Sequence, residues 1–344
     1  MSIFEQLLNT QFPDHSIDNQ GFWQSGAACA ASELAVSPLL HYDFLRLDGA
    51  DSRKFLQGQT SCDWQQINAE QASRGACCNI KGRVLSSFIG LLPSDDCALL
   101  RMRSDICESS RALLNKYIVF SKANISSQAR QHHVIGVKGS AAKARLQQLF
   151  GGVPAGPLAA YSPSPDTVIL QLDSDGQRFE CWLSDAQAAA QWPALSNAAT
   201  IINGNNWEKD CIRAGTADVC AAIQDQFLPQ QLNYQLTGAI NFKKGCYTGQ
   251  EVVARMQYRG KLKRRLYAAE LDGPVNATPG SELFVDDETQ SIGNIVAIQA
   301  EGTHSVLLAV LSVTALSGSI HTADSAQALR LIDLPYALPE LNNE

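Results

Sequence analysis

The stretch KKGCYTGQE, Lys243 to Glu251, sets one cysteine between two glycines, behind two lysines and ahead of a helix start. Thr248 and Glu251 stand three apart, the spacing of a capping box, so a helix is expected with Thr248 as its N-cap. Val252, Val253 and Met256 would supply its apolar face and Gly260 its stop. Three influences then favour a thiolate at Cys246. They are the partly positive helix N-terminus, the charges of Lys243 and Lys244, and the backbone N–H groups that Gly245 and Gly249 allow close to an anion. Such a thiol could serve as a nucleophile or a redox group. The alternative is a small buried side chain, the usual lot of a free cysteine. His132 and His133 are present, but nothing else resembles a cysteine-protease signature.

The same region is a basic island. Lys243, Lys244, Arg255, Arg259, Lys261, Lys263, Arg264 and Arg265 crowd together with only Glu251 opposing them, on a chain of net charge −7. A globally acidic chain is a poor general binder of nucleic acid. The island reads either as a solvated face or as a local site for a polyanion, a phosphate backbone or a ligand with several carboxylates.

The elements that must hold this loop come from a chain of 344 residues, long enough for two or three domains. Hydrophobic residues make up 45%, so a sizeable core is expected and disorder is not. No apolar run reaches the roughly 18 residues of a membrane span, and the start lacks a secretory signal. A cytoplasmic location is the expectation, in which the ten cysteines stay reduced. None forms a C-x-x-C pair, so no metal site is expected.

Residues 1–34 read as a polar extension. From Leu39 a strand leads to a helix capped by Asp51 and stopped by Gly58, and the stretch around Lys81-Gly82 reads as a β-hairpin. Strands and helices then mix without a βαβ rhythm, which indicates an α+β fold. After about Arg259 short strands alternate with turns, as in a small antiparallel barrel or sandwich. The expected organisation is residues 35–259, with an internal boundary near 130, followed by residues 260–338. No long repeat is visible.

NFKKGCYTGQEVVAR resembles the signature of the YgfZ family, folate-binding proteins related in fold to the T-protein of the glycine cleavage system. GADSRKFLQGQTSCD, NIKGRVLSSF, LNKYIVFSKANI, AGTADVCAAIQDQFLPQQLN and LPYALPE resemble further family segments in the same order, over residues 39–338. The resemblance implies a T-protein-like ring of two related α+β subdomains plus a C-terminal antiparallel β-barrel, around a cavity for tetrahydrofolate or a derivative. It also implies a role in maintaining iron–sulfur enzymes, tRNA-modifying ones among them. The family's key cysteine corresponds to Cys246, within a signature loop of Lys244, Gly245, Tyr247, Gly249 and Glu251. Trp207 corresponds to a tryptophan lining the folate site, and Tyr42 (with Phe44 the alternative) to a second aromatic. With Gln250 and Arg255 these are the candidate cofactor-binding residues.

Two positions depart from the T-protein pattern. Where its hairpin carries an acidic pair, this chain has Ser86-Ser87, and a hydroxyl cannot hold charge or take a proton near neutral pH as a carboxylate does. Arg213 stands where relatives carry a glutamate that accepts from the pterin, and arginine has no acceptor. Three functions are therefore expected side by side: a folate-binding accessory factor for iron–sulfur client enzymes, a folate-dependent aminomethyl transferase, and a direct tRNA-binding module. Ser86-Ser87 counts against the second, and the acidic total charge against the third.

Overall fold

Strand-forming alternation organises both parts of the chain, and helices cover what the strands leave apolar. The computed structural model describes residues 1–25, 32–273, 276–323 and 327–339. Among these residues the helices are α1 (Ile3–Gln11), α2 (Ser52–Gln59), α3 (Ser104–Asn115), α4 (Ala142–Phe150), α5 (Asp185–Ser196), α6 (Gly204–Arg213) and α7 (Gln250–Arg259). The chain divides into two interleaved units. The first comprises Met1–Gln59, Asp63–Arg74 and Phe88–Trp207, and the second Thr60–Cys62, Gly75–Ser87 and Glu208–Glu344.

Most of a repeat that the sequence hides lies in the first unit. Strand Tyr42–Asp48 leads into α2, two strands follow, and strand Cys97–Arg103 runs straight into α3. Strand His132–Lys138 leads into α4, two strands follow, and strand Arg178–Ser184 runs straight into α5. In each copy the strand before the second helix lies next to the copy's first strand. The strand-to-helix turns share one device. Gly49 at φ 134° and Gly139 at φ 112° let another segment's carbonyl, Lys122 O and Glu33 O respectively, come where a Cβ would stand. These are the two related α+β subdomains, and the sheets they build hold six and five strands.

Residues 1–34 are more than a polar extension. In α1, Phe4 and Leu8 are fully buried in a cluster with Ile135, Phe179 and Trp192. Asp185, the first residue of α5, accepts from the backbone N–H groups of Ile3 (2.7 Å) and Phe4 (2.9 Å) and so anchors α1. The extension looked polar because two apolar residues one turn apart are too few to make a visible period.

In the second unit six strands form an antiparallel, curled half-barrel, in the order Ile320–Thr322, Glu282–Val285, Gly293–Glu301, His304–Ser312, Arg264–Asp272, Arg330–Ile332. Its inner residues Leu266, Ala268, Val296 and Leu308 share one core with Ala76, Cys78 and Val84 of the hairpin and with Ile212, Ile240 and Val253. That core sets the floor on which the cysteine loop lies.

Candidate functional site: the cysteine loop and the buried aromatics

The loop begins with an Asx turn. Asn241 Oδ1 accepts from the backbone N–H groups of Lys243 (2.8 Å) and Lys244 (3.1 Å). Lys244 then turns inward and is 8% exposed. Its ammonium donates to the carbonyls of Thr60 (2.5 Å) and Cys62 (2.8 Å) and lies 5.1 Å from the ring centre of Tyr247. This corrects the expectation that both lysines act on the thiol: Lys244 clamps the loop to the Thr60–Cys62 segment, and its charge is spent on two carbonyl oxygens. Tyr247 is buried as well, and burial raises its hydroxyl pKa.

The capping box is a second correction. Helix α7 starts at Gln250, and its N-cap is Gly249 at φ 84°, with no side-chain cap. Thr248 lies outside the helix. The reason is steric: a Cβ on Gly249 would stand 2.3 Å from Asn79 O, and the left-handed φ excludes most other residues. Tight docking on the hairpin thus outweighs the weaker benefit of a threonine cap. Val253 is buried beneath α7, while Gly260 caps its end by donating to Met256 O at 3.2 Å, the stop the sequence predicts.

What this leaves outside is Cys246. It is exposed, whereas the eight other described cysteines are buried. It borders a hollow of about 610 Å³ lined by Ile80, Cys246–Glu251 and Ala254. Gly245 faces open space, so the loop gives the sulfur an unobstructed approach on that side. Gln250 is half-buried and Arg255 and Glu251 are exposed on α7. The buried thiols are unsuited to attack: burial pushes Cys77 up to about 12, against a smaller opposing effect of the Ser86 hydroxyl.

Ser86 and Ser87 are buried, and the Ser87 hydroxyl accepts from Val219 N–H at 2.8 Å. Arg213 makes a bidentate pair with Glu301, which turns it onto strand Gly293–Glu301. The hydrogen bonds from Arg213 also hold the Glu301 carboxyl below its usual range.

Tyr42 and Trp207 lie in the first unit, while Cys246, Gln250 and Arg255 lie in the second. Tyr42 is 5% exposed, with the Arg101 guanidinium 3.8 Å from its ring centre and His41 at 4.2 Å. Phe44 packs edge-on to Trp182 in the core. Trp207 is wholly buried. One side of its ring lies so close to Gly136 that a Cβ there would come within 2.7 Å, and the Arg178 guanidinium sits 5.0 Å from its ring centre. The Trp207 ring thus has packed neighbours and no exposed face. Its indole N–H, however, is buried with no hydrogen-bond partner. That donor, not the ring face, is what a ligand acceptor would satisfy.

Sequence reasoning missed the polar cluster around Tyr42. Arg101 and Glu180, 2% and 1% exposed, form an ion pair at 3.2 Å. Buried His41 has no hydrogen-bond partner on either ring nitrogen, and burial, then Arg103 and Arg101, lower its pKa well below the usual value. Arg-x-Arg in a strand reads as a solvent face, and nothing local pairs residue 101 with residue 180. Among the described residues no group of three His, Cys, Asp or Glu is arranged to hold a metal, and no helix is long and apolar enough to cross a membrane.

No protein-family model matches the chain. The chain is 36% identical to the tRNA-modifying protein YgfZ of Sodalis glossinidius over 314 residues, covering 89% of this chain and 94% of that one. It is 33% identical to the YgfZ of Escherichia coli O127:H6 over 319 residues, covering 91% and 96%. The structure superposes on the glycine cleavage system aminomethyltransferase T of Bartonella henselae with a TM-score of 0.80 at 15% identity, over 97% of both chains. The fold is therefore that of the aminomethyltransferase T-protein, and the near-complete alignment at this identity means that the chain belongs to the YgfZ family.

Proposed function

We propose that this chain is a tetrahydrofolate-binding accessory protein of the cytoplasm that supports iron–sulfur enzymes, tRNA-modifying ones among them, through the thiol of Cys246. One observation carries the reading. In a chain whose relatives are named tRNA-modifying, the cysteine of the signature loop is the exposed one among the described cysteines, held out by the Lys244 clamp. The T-protein-like fold supports a folate, and the orphan indole N–H of Trp207 fits one as a hydrogen-bond donor. The reduced pterin would supply one-carbon or redox chemistry. The chain's own part is to donate from Trp207 and to present the sulfur. Aminomethyl transfer is the weaker reading, because Ser86 and Ser87 offer no carboxylate and the Ser87 hydroxyl is engaged by the Val219 N–H.

The test has two arms. Calorimetry with tetrahydrofolate and its polyglutamates should give binding that salt weakens and Trp207→Phe reduces, since phenylalanine fills space without donating. Absence of heat at millimolar ligand would refute the folate assignment. Complementation of a strain lacking its own copy, read as thiolated tRNA nucleosides, should fail with Cys246→Ser. Full complementation by the serine variant would make the sulfur dispensable.

A further inference from the structure

We propose that single-stranded RNA docks on the outer face of α7, with phosphates on Arg259 and Lys261 and a base against Tyr258, so that a neighbouring nucleotide reaches the hollow beside Cys246. This rests on the tRNA-related reading above and adds to it a direct contact with the RNA. Arg255 and Arg259 stand one turn apart on α7, both exposed, and Lys261 follows them, also exposed. None of the three makes an ion pair among the described residues. Between Lys243 and Lys263 the only acidic residue is Glu251. On a chain of net charge −7 this is a local attractor, and the remaining surface would repel a polyanion.

Charge alone does not choose RNA over an acidic peptide; Tyr258 does. Its ring is 70% exposed and propped edge-on by Phe242, with centroids 6.0 Å apart and planes at 70°. A flat face held beside cations is the pairing of groups that single strands use, phosphate on charge and base on ring. A membrane fits less well, because the large exposed apolar side chains of this face are only Ile80 and Tyr258. The hairpin turn packs under α7, where a Cβ on Gly82 would meet Val252 Cβ at 3.0 Å. That contact fixes Ile80, 81% exposed, at the rim of the hollow that Cys246 borders.

Fluorescence anisotropy of a labelled single-stranded RNA oligonucleotide with the full chain tests this. Binding should be micromolar at 50 mM salt and weaken steeply at 200 mM. The double variant Arg259→Glu/Lys261→Glu should lose at least tenfold in affinity, and its log–log salt slope should fall by about 1.4, some 0.7 for each phosphate lost from a single strand. Tyr258→Ala should weaken a single strand but not a duplex of the same length. Arg255 is left unchanged because it is also a candidate for the folate tail. Folate calorimetry on the double variant therefore separates the two ideas: RNA binding lost with folate binding kept supports the docking face. No anisotropy change at 50 mM salt, unaltered affinity in a double variant with a native circular dichroism spectrum, or a preference for anionic vesicles over RNA would overturn it.

Discussion

At Cys246 and the eight other described thiols, chemistry is sorted by exposure. Burial pushes Cys77 and Cys107 up to about 12 and Cys97 to about 11, so each is essentially all thiol at neutral pH. Iodoacetamide at pH 7.5 should therefore label Cys246 at least tenfold faster than any of these, read by peptide mass spectrometry. Equal labelling of Cys77 or Cys107 would show that the buried sites open. The glycine flanks of Cys246 were legible in the sequence, but the burial of Lys244 was not, because a lysine inside a basic run looks solvated until its two carbonyl partners are known. Asp43 offers a test of another kind. Desolvation raises its pKa from 3.8 to about 6, with its own backbone contact to Phe44 opposing. The folded state thus holds this proton more tightly than the unfolded chain. The stabilising contribution is full below about pH 4 and is lost as pH rises through 6. Asp43→Asn, which keeps the acceptor and removes the charge, should match the wild-type melting temperature at pH 4 and exceed it at pH 7.5. A variant less stable at pH 7.5 would mean that the charge is solvated or paired.

At the scale of elements, the end of α7 can be read from Gly260, whereas its start cannot, because a matching Thr-x-x-Glu spacing says nothing of the hairpin packed against it. Gly249 supplies two things at once, a left-handed φ and room for Asn79 O. Gly249→Ala should cost about 2–4 kcal/mol, combining backbone strain with displacement of a packed carbonyl, and urea unfolding would measure it. A loss under 0.5 kcal/mol would mean the helix N-terminus can shift. Lys244→Met keeps the stem but leaves the carbonyls of Thr60 and Cys62 without this donor. The expected cost is about 1–3 kcal/mol, with faster proteolysis between Lys243 and Gly249. If cleavage there is unchanged, the clamp does not order the loop. The repeat was invisible for a similar reason. Its two copies share only the strand, glycine, helix order, and a single glycine at a turn is too common to mark a period.

For the whole molecule, the half-barrel strands begin at Arg264, but the compact unit that holds them begins well before that point. An alternation of strands and turns reports local pairing, and a core is a long-range object. The cluster beneath the half-barrel draws Ala76, Cys78 and Val84 from a hairpin more than a hundred residues earlier, and Ile240 and Val253 from just before those strands. The Ser61 hydroxyl donates to Ala239 O at 2.6 Å, and Lys244 reaches Thr60 and Cys62. The second unit is thus completed by two short insertions from the first half of the chain. A fragment of residues 208–344 keeps every half-barrel strand yet lacks those insertions, so it exposes the apolar floor that they cover. Calorimetry should show no cooperative transition for the fragment, and a hydrophobic dye should bind it while ignoring the full chain. In the full chain, Val84→Ala should destabilise by about 1–3 kcal/mol, because Val84 is 1% exposed and its loss leaves a cavity in that shared core. A fragment that melts cooperatively, together with a neutral Val84→Ala, would show that the half-barrel folds by itself and that the hairpin only rests on it.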